Sequence, residues 1–218
     1  MKDNHATTLL LIRHGQSLAN LDKFFAGHMD VPLTDQGLLQ AQKTADYIAS
    51  TYSVDAVFCS DLCRAFATGA VIAARVNVTP VADRMLREID AGQWTGITFS
   101  VLETTFAESY TVWLKDIGNS HPVGGESVKE LADRVSAALH RIAEANPGKT
   151  VVVATHATPI RATQWMLSGK DLSHMKEIPW VSNASVTELF YENGVFRLGK
   201  VSCDDHLAEL KSSFPANV

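Results

Sequence analysis

T-T-L-L-L-I-R-H-G-Q-S-L-A-N, Thr7 to Asn20, opens as an apolar run and stops abruptly at Arg13, His14 and Gly15. Leu9 to Ile12 lacks polar alternation, which reads as a strand buried on both faces, as in a parallel sheet covered by helices. In open α/β sheets, ligands sit beyond the carboxyl ends of the strands. Arg13 and His14 stand there, followed by a glycine that lets backbone come close to a ligand. An arginine fork matches phosphate or carboxylate oxygens.

The same pattern repeats along the chain. Leu18 to Val31 reads as a loop, and Thr34 as the N-cap of a helix running to about Ser50, with Leu38, Ala41, Ala45 and Ile48 on its buried face. Val54 to Phe58 is a second strand, followed by a helix from about Leu62 to Arg75. That helix carries Arg64 in its first turn, where a cation opposes the helix dipole unless an anion binds there. Val78 to Ala82 is a third strand, with Glu88 soon after it. Residues 95–126 break the rhythm and read as an insertion of two short helices over one end of the sheet. Its aromatic residues Phe99, Phe106, Tyr110 and Trp113, with Trp94 just before, are expected to form the insertion's core.

Ser127 to Ala145 is the clearest helix, with Val128, Leu131, Val135, Ala138, Leu139 and Ile142 on one face. Thr150 to Ala154 is the strongest strand; it ends in T-H-A-T-P-I-R, and a helix follows from about Pro159 to Leu167. Ser185 to Tyr191 and Val195 to Val201 flank E-N-G and read as a hairpin closing the sheet. The residues from about Cys203 read as a tail or short helix. No repeat or low-complexity segment interrupts the chain, so residues 1–218 are expected to form one domain.

Composition sets outer limits. The formal net charge of −5 argues against a general nucleic-acid or membrane-surface binder. The first residues lack the apolar core of a signal peptide, and no run approaches membrane-spanning length. Cys59, Cys63 and Cys203 cannot all pair and do not make a zinc site. They read as reduced thiols of a cytoplasmic protein.

Four strands thus each deliver polar residues shortly after their carboxyl ends: Arg13 with His14, Arg64, Glu88, and His156. Two converging guanidinium groups repel each other unless a multivalent anion lies between them, and a phosphoryl group is the obvious one. A neutral histidine nitrogen can attack phosphorus and form a phosphohistidine. A glutamic acid beside it can give a proton to the leaving alcohol and take one back from water. The set contains no cluster suited to a metal.

L-I-R-H-G-Q-S is similar to the signature of the histidine phosphatase superfamily, which includes cofactor-dependent phosphoglycerate mutases. The resemblance continues in order through P-L-T-D-Q-G-L-L-Q-A-Q, S-D-L-C-R-A-F-A-T, R-E-I-D-A-G-Q-W-T-G, G-G-E-S, V-V-V-A-T-H and S-N-A-S-V-T-E-L. It implies a three-layer α/β/α sandwich with a mostly parallel sheet, an inserted helical cap, and no required metal or other cofactor. It implies that His14 is the nucleophile, that Arg13, Arg64 and His156 bind the transferring phosphoryl group, and that Glu88 is the general acid. Asn20 matches a phosphate-pocket position, while Gln16 and Ser17 match positions beside the nucleophile. Ala157 stands where the family commonly has glycine, which matters only if that position needs a positive φ.

The expected activity is metal-independent hydrolysis of a small phosphorylated metabolite. A cofactor-dependent phosphoglycerate mutase is the alternative, and a non-catalytic phosphate-binding module a minor one. A mutase must hold a second anionic group, yet the inserted segment offers Lys115 as its one basic residue. A neutral or partly apolar leaving alcohol fits that segment better. Both a monomer and a homodimer agree with the sequence. His5, His28, His121, His140, His174 and His206 read as surface or loop histidines, with His28 and His121 the two that could reach a pocket mouth. Arg87 and Arg161 are left between substrate contact and pairing with acidic neighbours.

Overall fold

A computed structural model of the chain describes residues 6–212. Its centre is a six-stranded mixed sheet in the order β3-β2-β4-β1-β5-β6. These strands are β1 (Thr7–Arg13), β2 (Ala56–Cys59), β3 (Pro80–Ala82), β4 (Thr150–Thr155), β5 (Val186–Glu192) and β6 (Val195–Leu198). β1 runs parallel to β4, β4 to β2, and β2 to β3. β5 lies antiparallel on the other side of β1, and β6 antiparallel to β5.

The uninterrupted apolar run of β1 has the two-sided burial its composition implies. Leu9 and Leu11 enter the core on one face; Leu10 and Ile12 enter the core on the other. The first face packs on α6 (Val128–Glu144) and α7 (Ala157–Ser168), through Leu131, Val135, Leu139 and Ile160. The second packs on α2 (Asp35–Thr51) and α3 (Cys63–Arg75), through Ala45, Ile48, Ile72 and Ala73. This is the expected three-layer α/β/α sandwich. Asn193 and Gly194 join β5 to β6, both at positive φ, the backbone that two-residue hairpin turns require.

Three local readings need correction. The stretch after Ser17 is not all loop: α1 (Leu18–Asp22) is built there. Ser17 caps it, with the Asn20 side chain reaching back to the Ser17 N–H, a capping box in which asparagine stands for the usual glutamate. On α2, Leu38 is exposed and Gln40 and Thr44 are buried instead. Their polar groups are satisfied there: Gln40 accepts from the Gln16 N–H at 2.7 Å, and Thr44 donates to the Ala184 carbonyl at 2.9 Å. His140 and His206 are partly buried, His140 against Tyr191 and Phe196, His206 stacked on Tyr47. His5 lies outside the described residues. Residues 99–119 fold as α4 (Phe99–Thr105), α5 (Ala107–Lys115) and a 3-10 turn, Ile117–Asn119.

The turn after β1 is seated on the first turn of α2 by glycine on both sides. A Cβ on Gly37 would lie 2.0 Å from the Gln16 carbonyl oxygen, and one on Gly15 would lie 2.3 Å from that of Gly37. Backbone cannot yield as a flexible side chain does. Gly37→Ala is therefore expected to push the Arg13–Ser17 turn off α2. Overpacking of this kind costs about 1–3 kcal/mol, or a fall in melting temperature of roughly 3–10 °C for a chain of this size. Calorimetry of the variant checks this; an unchanged melting temperature would mean that the two turns are not in this contact.

Candidate active site

The carboxyl ends of β1, β2, β3 and β4 open into one pocket lined by Arg13, His14, Asn20, Arg64, Glu88 and Ala157, together with Thr158. His156 stands immediately behind it, its ring edge-on to His14 at a centroid separation of 5.2 Å. Five of the residues singled out in the sequence are thus neighbours although 143 positions separate the first from the last. The parallel register of β1, β4 and β2 is what aligns their ends.

His14 is 4% exposed. Its Nδ1 lies 2.7 Å from the Gly15 carbonyl oxygen. A carbonyl only accepts, so Nδ1 carries the proton and Nε2 keeps its lone pair. Burial, with the nearby charges of Arg64 and then Arg13, holds the His14 pKa well below its usual value. The ring is therefore neutral where a free histidine would be partly protonated. His156 is displaced in the same direction, by burial first, then Arg64 and His14. Its Nε2 meets the Ser60 hydroxyl at 2.8 Å. The turn itself is braced by Thr68, whose Oγ1 accepts from the Gly15 N–H, and by Asn183, whose Nδ2 donates to the His14 carbonyl.

Both arginines are buried and held by main-chain oxygens. Arg13 donates from Nη1 to the Val181 carbonyl at 2.6 Å. Arg64 donates to the carbonyls of Met29 and Gly27, each at 2.9 Å. The anion expected at the start of α3 proves to be internal in part: the Asp30 carboxylate takes the Cys63 N–H at 2.7 Å. Asn20 has its Oδ1 engaged by Ser17 and Asn183, which leaves its NH2 outside that network. Ala157 opens α7 and is absent from the residues at positive φ. An alanine is thus as good as a glycine there.

Glu88 is carried on an irregular segment rather than on a strand or helix. Its Oε1 accepts the Ile89 N–H at 2.8 Å and its Oε2 faces the Thr158 N–H at 3.4 Å. The segment is clamped from α6 by Arg134, which donates to the carbonyls of Met85, Arg87 and Glu88 and pairs with Glu126. His28 also bonds the Glu88 carbonyl, at 2.8 Å, yet does not line the pocket. His121 bonds the Gly125 carbonyl and stays outside it. Arg87 forms a two-pronged ion pair with Asp61.

The remaining walls are apolar: Phe24, Phe25, Phe99, Trp113 and Trp180. Trp94 and Tyr110 are core residues as expected, whereas Phe99 and Trp113 serve both core and pocket. Sequence reasoning missed Ser60, Thr68, Thr158, Asn183, Arg134 and Trp180. Ser60, Thr68 and Asn183 do lie inside two of the motifs that carried the family resemblance; nothing local marks the others.

Residues 9–204 match the histidine phosphatase superfamily (branch 1). The chain belongs to that superfamily. Phosphoglycerate mutase-like protein 4 of Arabidopsis thaliana is 35% identical over 71% of this chain and 68% of its own length. Phosphoserine phosphatase 1 of Hydrogenobacter thermophilus is 28% identical over 92% and 94%. Among solved structures, a phosphoserine phosphatase of Entamoeba histolytica in complex with phosphoserine superposes with a TM-score of 0.81 at 25% identity, covering 92% of this chain and 99% of that one.

The depressed histidine pKa has a consequence for stability. Below about pH 6.5 the unfolded chain takes up a proton at His14 that the folded chain refuses, so folding loses free energy as pH falls, by up to ~1.4 kcal/mol per pH unit. Above that pH the effect vanishes. Chemical unfolding of the protein and of His14→Ala at pH 7.5, 6.5 and 5.5 should show the wild type losing ground to the variant as pH falls. A constant difference between them would mean that His14 titrates normally.

Proposed function

We propose that this enzyme hydrolyses small phosphomonoesters without a metal, through a phosphohistidine at His14. The observation that carries the reading is the neutral His14 ring, its Nδ1 proton tied to Gly15 and its Nε2 free, between two buried guanidinium groups. In the first step the Nε2 lone pair forms the N–P bond while the P–O bond to the alcohol breaks. The positive charge that develops on the ring is eased through Nδ1–H and the Gly15 carbonyl. Arg13, Arg64 and His156, with the Asn20 amide, hold the phosphoryl oxygens. Glu88 gives its proton to the departing alcohol oxygen. In the second step the Glu88 carboxylate takes a proton from water, the water oxygen attacks phosphorus, the N–P bond breaks, and inorganic phosphate leaves with His14 restored.

Two guanidinium groups supply the charge compensation that a divalent ion supplies in other phosphatases. Phosphatase names among full-length relatives support hydrolysis over isomerisation. We place the enzyme in the cytoplasm on the three unpaired thiols of Cys59, Cys63 and Cys203. Among the described residues, no helix is long and apolar enough to cross a membrane.

Phosphate release is expected in chelator-containing buffer from several monoesters, with an acid-labile phosphoenzyme that is absent from His14→Ala. Isomerisation of 3-phosphoglycerate that depends on its bisphosphate, without phosphate release, would assign a mutase instead. Glu88→Gln should slow esters of poor leaving groups by roughly a hundredfold or more and spare an activated aryl phosphate. Equal losses on both would make Glu88 a positioning residue.

A further inference from the structure

Arg161 lies on α7, five residues beyond His156, and is 3% exposed. Its Nε and Nη2 donate to the Ile178 carbonyl at 3.0 and 2.7 Å, and Nη2 also reaches the Met175 carbonyl at 3.2 Å. The Trp180 ring covers the guanidinium at 3.9 Å. Nη1 is sealed from water and has no hydrogen-bond partner among the described residues. A buried donor on a charged group is costly to leave unsatisfied. Burial lowers the Arg161 pKa only to about 10, with Glu88 opposing the shift, so the group stays cationic at neutral pH.

Arg161 lines a cavity of about 280 Å³ with Lys176, Ile178, Trp180, Trp113 and Ile117. The pocket over His14 is smaller, at about 80 Å³. Trp113 and Trp180 belong to both walls, with ring centroids 6.3 Å apart. Glu177, the acidic residue of this cavity, is paired with Lys170 at 3.1 Å, while Lys176 forms no salt bridge among the described residues. The cavity next to the catalytic pocket is therefore lined by two positive side chains and one carboxylate, whose charge is shared between Lys170 and Lys176.

We propose that this cavity receives a carboxylate carried by the leaving alcohol, with Arg161 Nη1 and the Lys176 ammonium as its two contacts. Trp180 is the wall that yields to expose Nη1. A carboxylate has the planar pair of oxygens that one guanidinium edge and one ammonium can satisfy. A second phosphate would leave oxygens unpaired, and a neutral hydroxyl would leave the charges uncompensated. The next residue after Trp180 is Val181, whose carbonyl holds Arg13, so the subsite adjoins the phosphoryl site through one peptide. The expectation of a neutral alcohol counted only the charges of residues 95–126; Arg161 and Lys176 lie outside them. The inference rests on the phosphomonoesterase reading for its substrate, though not for its test.

The test is calorimetric binding to full-length His14→Ala, which reads affinity without turnover. The probes are 3-phosphoglycerate, glycerol 3-phosphate, phosphoethanolamine and glycerol bisphosphate, which has a second phosphate and no carboxylate. 3-Phosphoglycerate should bind roughly tenfold or more tightly than glycerol 3-phosphate, and phosphoethanolamine most weakly. Adding Lys176→Glu, at an exposed position, should remove most of that advantage and leave glycerol 3-phosphate binding unchanged. In the active enzyme the same substitution should raise KM for the carboxylate ester and spare kcat. Equal affinity for the carboxylate and neutral esters, indifference to Lys176→Glu, or tighter binding of glycerol bisphosphate than of 3-phosphoglycerate would each overturn the proposal. Discrimination by His14→Ala with no hydrolysis by the wild type would sink the phosphatase reading and leave the subsite standing. Hydrolysis without discrimination would do the reverse.

Discussion

Arg13 and Arg64 are buried side by side, close enough that each charge acts on the same imidazole, and this arrangement dictates much of the structure around it. Burying a guanidinium is costly unless its N–H groups find acceptors, and here three main-chain carbonyls serve. Arg64 draws in the loop at Gly27 and Met29; Arg13 draws in the segment at Val181. Two stretches far apart in sequence are thereby fastened over the ends of β1 and β2 and become the pocket wall. Carbonyls ease the desolvation of the arginines without cancelling their charge. The pocket is left electropositive, which is the condition for gripping a phosphoryl group from a chain whose net charge is negative.

The layers and most strand ends were legible because they depend on short-range signals. β1 and β4 are unbroken apolar runs, α6 shows its face at helical spacing, and the polar residue after each strand falls where a parallel sheet collects them. The misses follow from interactions that local pattern does not encode. α1 was overlooked because its short sequence is polar and its cap is completed by asparagine. The buried face of α2 was misjudged because Gln40 and Thr44 are satisfied by Gln16 and by residues near positions 184 and 210, which no periodicity reveals.

The site divides in the same way. The residues proposed to do the chemistry stand at strand ends or in a helix's first turn, apart from Glu88 on the irregular segment after β3, so sequence order locates them. The residues that hold them do not. Arg134 sits mid-helix on α6 and fastens three carbonyls of the Glu88 segment from 46 or more positions away. Arg161 and Trp180 meet across a turn whose sequence gives no sign of charge next to the pocket. A tally of basic residues in the inserted segment therefore understates the positive field that a substrate meets.

One cause underlies both the grip on phosphate and the state of the nucleophile. A histidine attacks only when neutral, and in water near neutral pH its protonated form would compete. Here the two arginines proposed to face the phosphoryl oxygens are the same charges that, after burial, hold the proton off His14. An anion between the guanidinium groups would offset that field and raise the proton affinity of the ring, just as attack requires its lone pair. The bond from Nδ1 to the Gly15 carbonyl fixes which nitrogen already carries a proton. His14 lines the pocket, and its Nε2 is on the side of the ring away from that carbonyl. Glycine at position 15 keeps the turn close enough to α2 to hold this geometry, so a backbone contact on the far side of the nucleophile governs the direction in which it can react.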